Sequence, residues 1–323
     1  MTTSGSYSFN CTRDDIIRDA MLNLGHLGVG DNVNPQETVD LTRRLNMLVK
    51  QWQGKADFAP GLKTWNRRIG YAFLSGTTGT YQVGPTNGYW TNSFISTTTT
   101  AQSASGSNTI TLASVVGITL GDTIGVQVTT PAFAGDTLFW STVSLIVGNV
   151  VTLAANLPGS VSSGYTVFDY TTNAQLIVEL ETVNLRDYTG EDTILDLLNV
   201  QQYQALPSKS DPTNISDPTA VYVERRVGYN LIYTDCAGAQ DITKYLVIEY
   251  MEPAQDIINP LDNPEFPQEW FLALVWGLTR EVAPQFGAQW TTVMQENYAD
   301  AILTARNMNP VSYADAFFQP GKD

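Results

Sequence analysis

The chain has 323 residues, enough for two or three domains and a sizeable core, with 43% hydrophobic residues and a formal net charge of −15. That charge argues against free adhesion to nucleic acid, because phosphate binding depends on basic side chains that displace counterions. No apolar run approaches the roughly 18 residues of a membrane span, the start MTTSGSYSFN lacks the pattern of a secretory leader, and Cys11 and Cys236 lack metal-ligand spacing, so a soluble, reduced, intracellular chain is expected.

Thr12 is placed to cap a helix, with Asp15 completing a capping box; Ile16, Ile17, Ala20, Met21 and Leu24 form its apolar face, and Gly25 ends it. Asn34 caps a second helix that opens on Pro35. Its stripe is Leu41, Leu45, Leu48 and Trp52, and Gly54 closes it. The pair reads as a helical hairpin. From Leu62 to Val83 the period shifts towards two, with aromatic and β-branched residues up to Gly84-Pro85, which predicts β structure.

Charge then isolates a module. Residues 92–170 carry three acidic and no basic side chains, and no lysine or arginine lies between Arg68 and Arg186. The segment is rich in Thr, Ser, Gly and Val. Alternating stretches predict strands at Thr109–Leu112, Thr123–Val128, Phe139–Val147 and Val150–Leu153, with a turn at Gly148-Asn149, as in a small β-sandwich or barrel.

Beyond it, Ala174–Val183 reads as a strand, Thr193–Leu206 as a short helix, and Tyr222–Val227, Asn230–Cys236 and Tyr245–Met251 as strands of an antiparallel sheet. Pro264 and Pro267 lead into a helix whose first residue is Pro267. Its apolar face is Phe271, Leu274, Val275, Leu278 and Val282, and Pro284 and Phe286-Gly287 end it. A last helix spans Trp290–Arg306, and the tail from Asn307 carries Tyr313, Phe317 and Phe318 without a helical stripe.

The stretches PQEW, LAL and VAPQFG resemble the signature near the end of podovirus head-to-tail adaptors, also called tail accessory, head completion or tail tubular proteins. The helix pair ending near Trp52, the strand finishing in Thr80-Tyr81 and the strand reaching Tyr250 and Pro253 extend that resemblance to about three quarters of the chain, leaving out the module at 91–170. It implies a dodecameric ring that binds the portal protein at the head–tail junction of the virion, extends the DNA channel near packaged DNA, and presents a platform for tail or nozzle proteins. The signature residues are Pro267, Trp270, Leu274, Pro284, Phe286 and Gly287, and in such adaptors the C-terminal tail reaches into the portal, giving Tyr313, Phe317 and Phe318 a portal-binding role.

The expected fold is α+β: a helical bundle from the N-terminal hairpin and the two C-terminal helices, an antiparallel β region, and a small inserted all-β domain. The expected domains are 1–90 (hairpin and first strands), 91–170 (insert), 171–306 (the rest of the adaptor core) and 307–323 (tail).

Enzymatic signals are sparse. His26 is the only histidine, and it lies past a helix end where an imidazole can bond free carbonyls. Every Ser/His/Asp or Cys/His scheme would rest on it. Glu249 with Glu252, or Glu265 with Glu269, could be paired as in glycoside hydrolysis, but acidic residues are usually a solvated face. No catalytic, cofactor or metal residues are therefore expected. Arg67-Arg68 and Arg225-Arg226 read as solvated strand edges or as contacts for passing DNA. Residues 171–262 carry fifteen acidic and five basic side chains, which suggests a channel wall that repels moving DNA through Glu191, Asp192 and Asp196. The alternative functions are a tail-fibre or surface-recognition protein whose β module contacts glycan, or a tail-associated peptidoglycan hydrolase.

Overall fold

The structure is a computed structural model that describes residues 9–54, 66–86, 88–130, 136–209 and 211–307. Its chain divides into two compact units, Met1–Asn66 with Pro253–Asp323, and Arg67–Glu252. Among the described residues there are five α-helices: α1 (Arg13–Asn23), α2 (Pro35–Gly54), α3 (Val200–Ala205), α4 (Phe271–Val282) and α5 (Thr292–Asn307).

In the first unit the helices begin where local chemistry directs them. The Thr12 amide donates to Asp15 Oδ2 at 3.0 Å and the Asp15 amide donates to Thr12 Oγ1 at 3.3 Å, so both halves of the capping box form. Asn34 Oδ1 accepts from the Gln36 amide at 3.0 Å ahead of α2. Pro267 stays outside the helix as an extended residue (ψ 151°), and its carbonyl accepts the first bond of a 3-10 turn, Gln268–Trp270, that feeds α4. Ile16, Ile17 and Met21 of α1, Leu41, Leu45 and Trp52 of α2, Leu274, Leu278 and Val282 of α4, and Ala301 and Ala305 of α5 share one buried core. Asn46 ties this core to the chain before α4, donating to the Ile257 carbonyl at 2.8 Å and accepting from the Ile257 amide at 2.9 Å.

The second unit begins with β1 (Arg67–Phe73), β2 (Thr80–Val83) and β3 (Trp90–Thr91). Six strands of the insert follow: β4 (Ile95–Thr98), β5 (Thr109–Thr111), β6 (Thr123–Thr129), β7 (Asp136–Val147), β8 (Val150–Leu153) and β9 (Thr166–Tyr170). The chain returns through β10 (Glu179–Arg186), β11 (Asp192–Ile194), β12 (Asp196–Leu197), β13 (Ala220–Arg226), β14 (Tyr229–Thr234) and β15 (Tyr245–Met251). One sheet runs β11-β10-β15-β1-β3, a second β12-β13-β14-β2, and the insert forms a third, β4-β9-β6-β7-β8-β5.

The first two sheets bury their inner faces in a common core that includes Ala72, Tyr81, Val83, Val183, Val221, Ile232, Leu246 and Tyr250. The insert has its own core of Ile110, Val126, Val128, Val151, Val167 and neighbours. Its sheet curls until the chain beyond edge strand β4 meets that beyond edge strand β5 at the bridge Thr99–Leu112. A further aromatic cluster, Phe73, Phe168 and Tyr170 with Phe94, Trp140 and Tyr245, joins the insert to β1 and β15.

This architecture overturns the expected helical bundle with an accessory β region and a small insert. Strands predominate: between α2 and α4 the only described α-helix is the six-residue α3, and the insert contributes the largest of the three sheets. Clean caps and long apolar stripes make helices conspicuous in a sequence. Short strands paired across long sequence gaps, as β1 pairs β15, leave a weaker trace.

Two local expectations also change. The helix predicted from Thr193 starts only at Val200, where Asn199 and Gln202 close a capping box at 2.9 Å each way. The residues before it extend instead, Asp192–Ile194 pairing with β10 and Asp196–Leu197 running parallel to β13. The strand predicted at Ala174–Val183 lies at Glu179–Arg186, where pairing with β15 through a bulge between Leu180 and Thr182 sets the register.

Candidate functional site

The signature residues converge in the first unit. Trp270 is 2% exposed, and its ring lies 6.3 Å from Trp52 and 6.4 Å from Phe266, centroid to centroid. Leu274 is fully buried one helical turn later. After Pro284 the chain turns on Gly287 (φ 64°), and the Ala288 amide reaches back to the Ala283 carbonyl at 3.0 Å, capping the helix end through a left-handed glycine. Phe286 packs on His26 at 4.7 Å, and the His26 Nε2 stands 3.6 Å from Glu37. His26 thus contacts an aromatic ring and a carboxylate, where a bond to helix-end carbonyls had been expected. Tyr313, Phe317 and Phe318 lie outside the described residues.

Three of the four arginines in question, all but the exposed Arg225, are engaged by carboxylates. Arg67 sits between Glu181 and Glu249, the latter at 3.1 Å; Arg68 meets Glu252 at 2.9 Å; and Arg226 meets Glu224 at 3.1 Å. Strand pairing explains the first set, since Arg67 and Arg68 face the end of β15. Of the candidate channel acids, Asp192 on β11 receives Arg186 Nε at 2.7 Å and Nη2 at 2.6 Å, which holds its carboxyl below the usual range. Glu191, in the turn before β11, and Asp196, on β12, are exposed and carry no ion pair among the described residues.

The two cysteines are free and buried. Burial pushes the Cys11 thiol up to about 11, with Asp15 and Asp19 adding to the shift, and burial also raises that of Cys236. No cluster of three His, Cys, Asp or Glu with metal-binding geometry occurs among the described residues. No helix of the described chain is long and apolar enough to cross a membrane. One acidic pair is unusual: Asp169 is 1% exposed beside the equally buried Asp122, and burial, reinforced by Asp122, pushes its carboxyl up to about 7. Asp122 is held by the Thr119 amide at 2.6 Å and hydroxyl at 3.0 Å.

The second unit also contains a cavity of about 620 Å³ where the insert meets β1 and β2. Trp140 on β7 lies opposite Gly125 on β6, and a Cβ at Gly125 would come within 2.6 to 2.8 Å of three indole atoms, so one indole face rests on bare backbone. Tyr89 stacks on Trp140 with centroids 4.4 Å apart and planes 8° from parallel, and is itself 47% exposed. Tyr170 completes the aromatic wall. It is 3% exposed, its hydroxyl has no hydrogen bond of normal geometry, and burial holds the phenol protonated. The Gln82 and Asn173 side chains line the same cavity and make no hydrogen bond among the described residues.

None of these five residues stands out in the sequence as a site. They come from four separate stretches that sheet pairing brings together, and only Trp140, an indole within a Thr/Ser-rich segment, offers a signal. No protein-family model matches the chain, and a search of curated proteins finds no significant relative.

Proposed function

We propose that this chain is a podovirus head-to-tail adaptor: a non-enzymatic virion protein that binds the portal as an oligomeric ring, extends the DNA channel and receives tail or nozzle proteins. One observation carries the reading. The residues of the adaptor-like signature are the ones that close the first unit, Trp270 and Leu274 packing with Trp52 and the N-terminal helices, and Phe286 with the turn after α1. Packing of this helix against the N-terminal pair is the arrangement that the resemblance implies. The carboxylate-bound state of Arg67, Arg68 and Arg226 agrees with a wall that lets DNA pass, because few cations remain to hold phosphate. Ring assembly implies heterologous contacts that close by rotation.

The experiment is native mass spectrometry of the full chain, and of a chain ending at Asn309, each mixed with the cognate portal ring. Addition of full-length protein in a fixed multiple, lost on truncation, supports both the adaptor role and anchoring by Tyr313, Phe317 and Phe318. Failure of both chains to associate refutes the adaptor role.

A further inference from the structure

We propose that the cavity walled by Trp140, Tyr89 and Tyr170 is a binding site for an uncharged pyranose unit of a glycan. This role is independent of portal binding. At about 620 Å³ the cavity falls within the size range of small-ligand sites. Its chemistry is what narrows the ligand. Among the described residues no Asp, Glu, Lys, Arg or His lines it, so they offer neither a cation for a phosphate or carboxylate nor an anion for an amine.

What it offers is an aromatic surface beside unspent hydrogen-bonding groups. Trp140 is backed by Gly125 on one face and stacked by Tyr89 on the other, and the half-exposed Tyr89 ring is what the stack offers a ligand as a platform. The axial C–H groups of a pyranose present an apolar face of matching shape to such a platform. Around it, the amides of Gln82 and Asn173 each both donate and accept, and the buried Tyr170 phenol has a proton to give. Vicinal sugar hydroxyls likewise donate and accept in turn. The Tyr170 hydroxyl, with only the Thr123 hydroxyl beside it and no bond of normal geometry, is open to an occupant that bonds it better. A proline-rich peptide would use the aromatic wall but leave most of these donors unmatched.

The full-length protein is titrated with maltotetraose, cellotetraose and tri-N-acetylchitotriose, with binding read by calorimetry and by saturation-transfer NMR. At least one is expected to bind with a dissociation constant on the order of 1 mM, in keeping with a single platform and a few hydrogen bonds working against the cost of association. Tyr89→Ala and Asn173→Ala should each weaken that binding about tenfold or more, while free N-acetylneuraminic acid, which carries a carboxylate on its ring, should not compete. Tyr89 is half exposed, so its removal leaves the cores intact, and an unchanged melting temperature checks this. Absence of binding by all three oligosaccharides overturns the proposal. So does binding that Tyr89→Ala leaves unchanged, or Tyr89-dependent binding of an (Ala-Pro)5 peptide without any of the sugars.

Discussion

The indole of Trp52 lies against the backbone of Gly277, so close that a Cβ at that position would sit 2.6 Å from its Cζ2. Gly277 is thus the residue that lets α2 and α4 approach at their most buried aromatic. Gly277→Ala would normally favour a helix by up to roughly 1 kcal/mol. Here overpacking prevails, and a net loss of about 1 to 3 kcal/mol is expected in urea unfolding. A neutral or stabilising result would mean that Trp52 has room to move.

Asn46 makes a two-point bond to Ile257 that mimics a strand pairing between a side chain and a backbone. Asn46→Ala leaves the Ile257 amide and carbonyl without it. The expected loss is about 1 to 3 kcal/mol, and hydrogen exchange at the Ile257 amide should accelerate in the variant. Unaltered exchange there would show that the clamp is not what protects the segment.

Asp169 makes stability depend on pH with a defined sign. Burial raises its carboxyl to about 7 from the ordinary carboxylate range, so its contribution is fully present below about pH 4 and is lost as pH rises through about 7. A rise of that size corresponds to at most about 4 kcal/mol. The wild-type protein is therefore expected to be less stable at pH 8 than at pH 5.5, and Asp169→Asn to flatten the difference. Parallel pH profiles for the two proteins would remove Asp169 as the cause.

Much of the first unit is legible in the sequence because its signals are local. Thr12 with Asp15, Asn34 with Pro35, and Gly287 after Pro284 each act within a few residues, and the structure places helix ends at all three. Hairpin β7–β8 is legible for the same reason, turning on Gly148 at φ 58°. Strands β4 and β9 are not: they pair with each other across about 70 residues, β9 meets β6 across more than 40, and β9, buried at four consecutive positions, does not alternate. The cavity is the extreme case. Gln82, Tyr89, Trp140 and Asn173 acquire a joint meaning only after β2, β3, β7 and β9 have found their registers.

The seam at Thr99–Leu112 has a consequence for life in a concentrated assembly. A sheet of Thr and Val strands without a single lysine or arginine lacks the charged sentinels that usually keep edge strands from recruiting one another. Here the chain beyond the two edges meets itself: the Thr100 amide bonds the Thr111 carbonyl at 2.8 Å and the Ala113 amide bonds the Thr98 carbonyl at 2.8 Å. Backbone groups that would otherwise be open to a foreign strand are thereby occupied within the module itself.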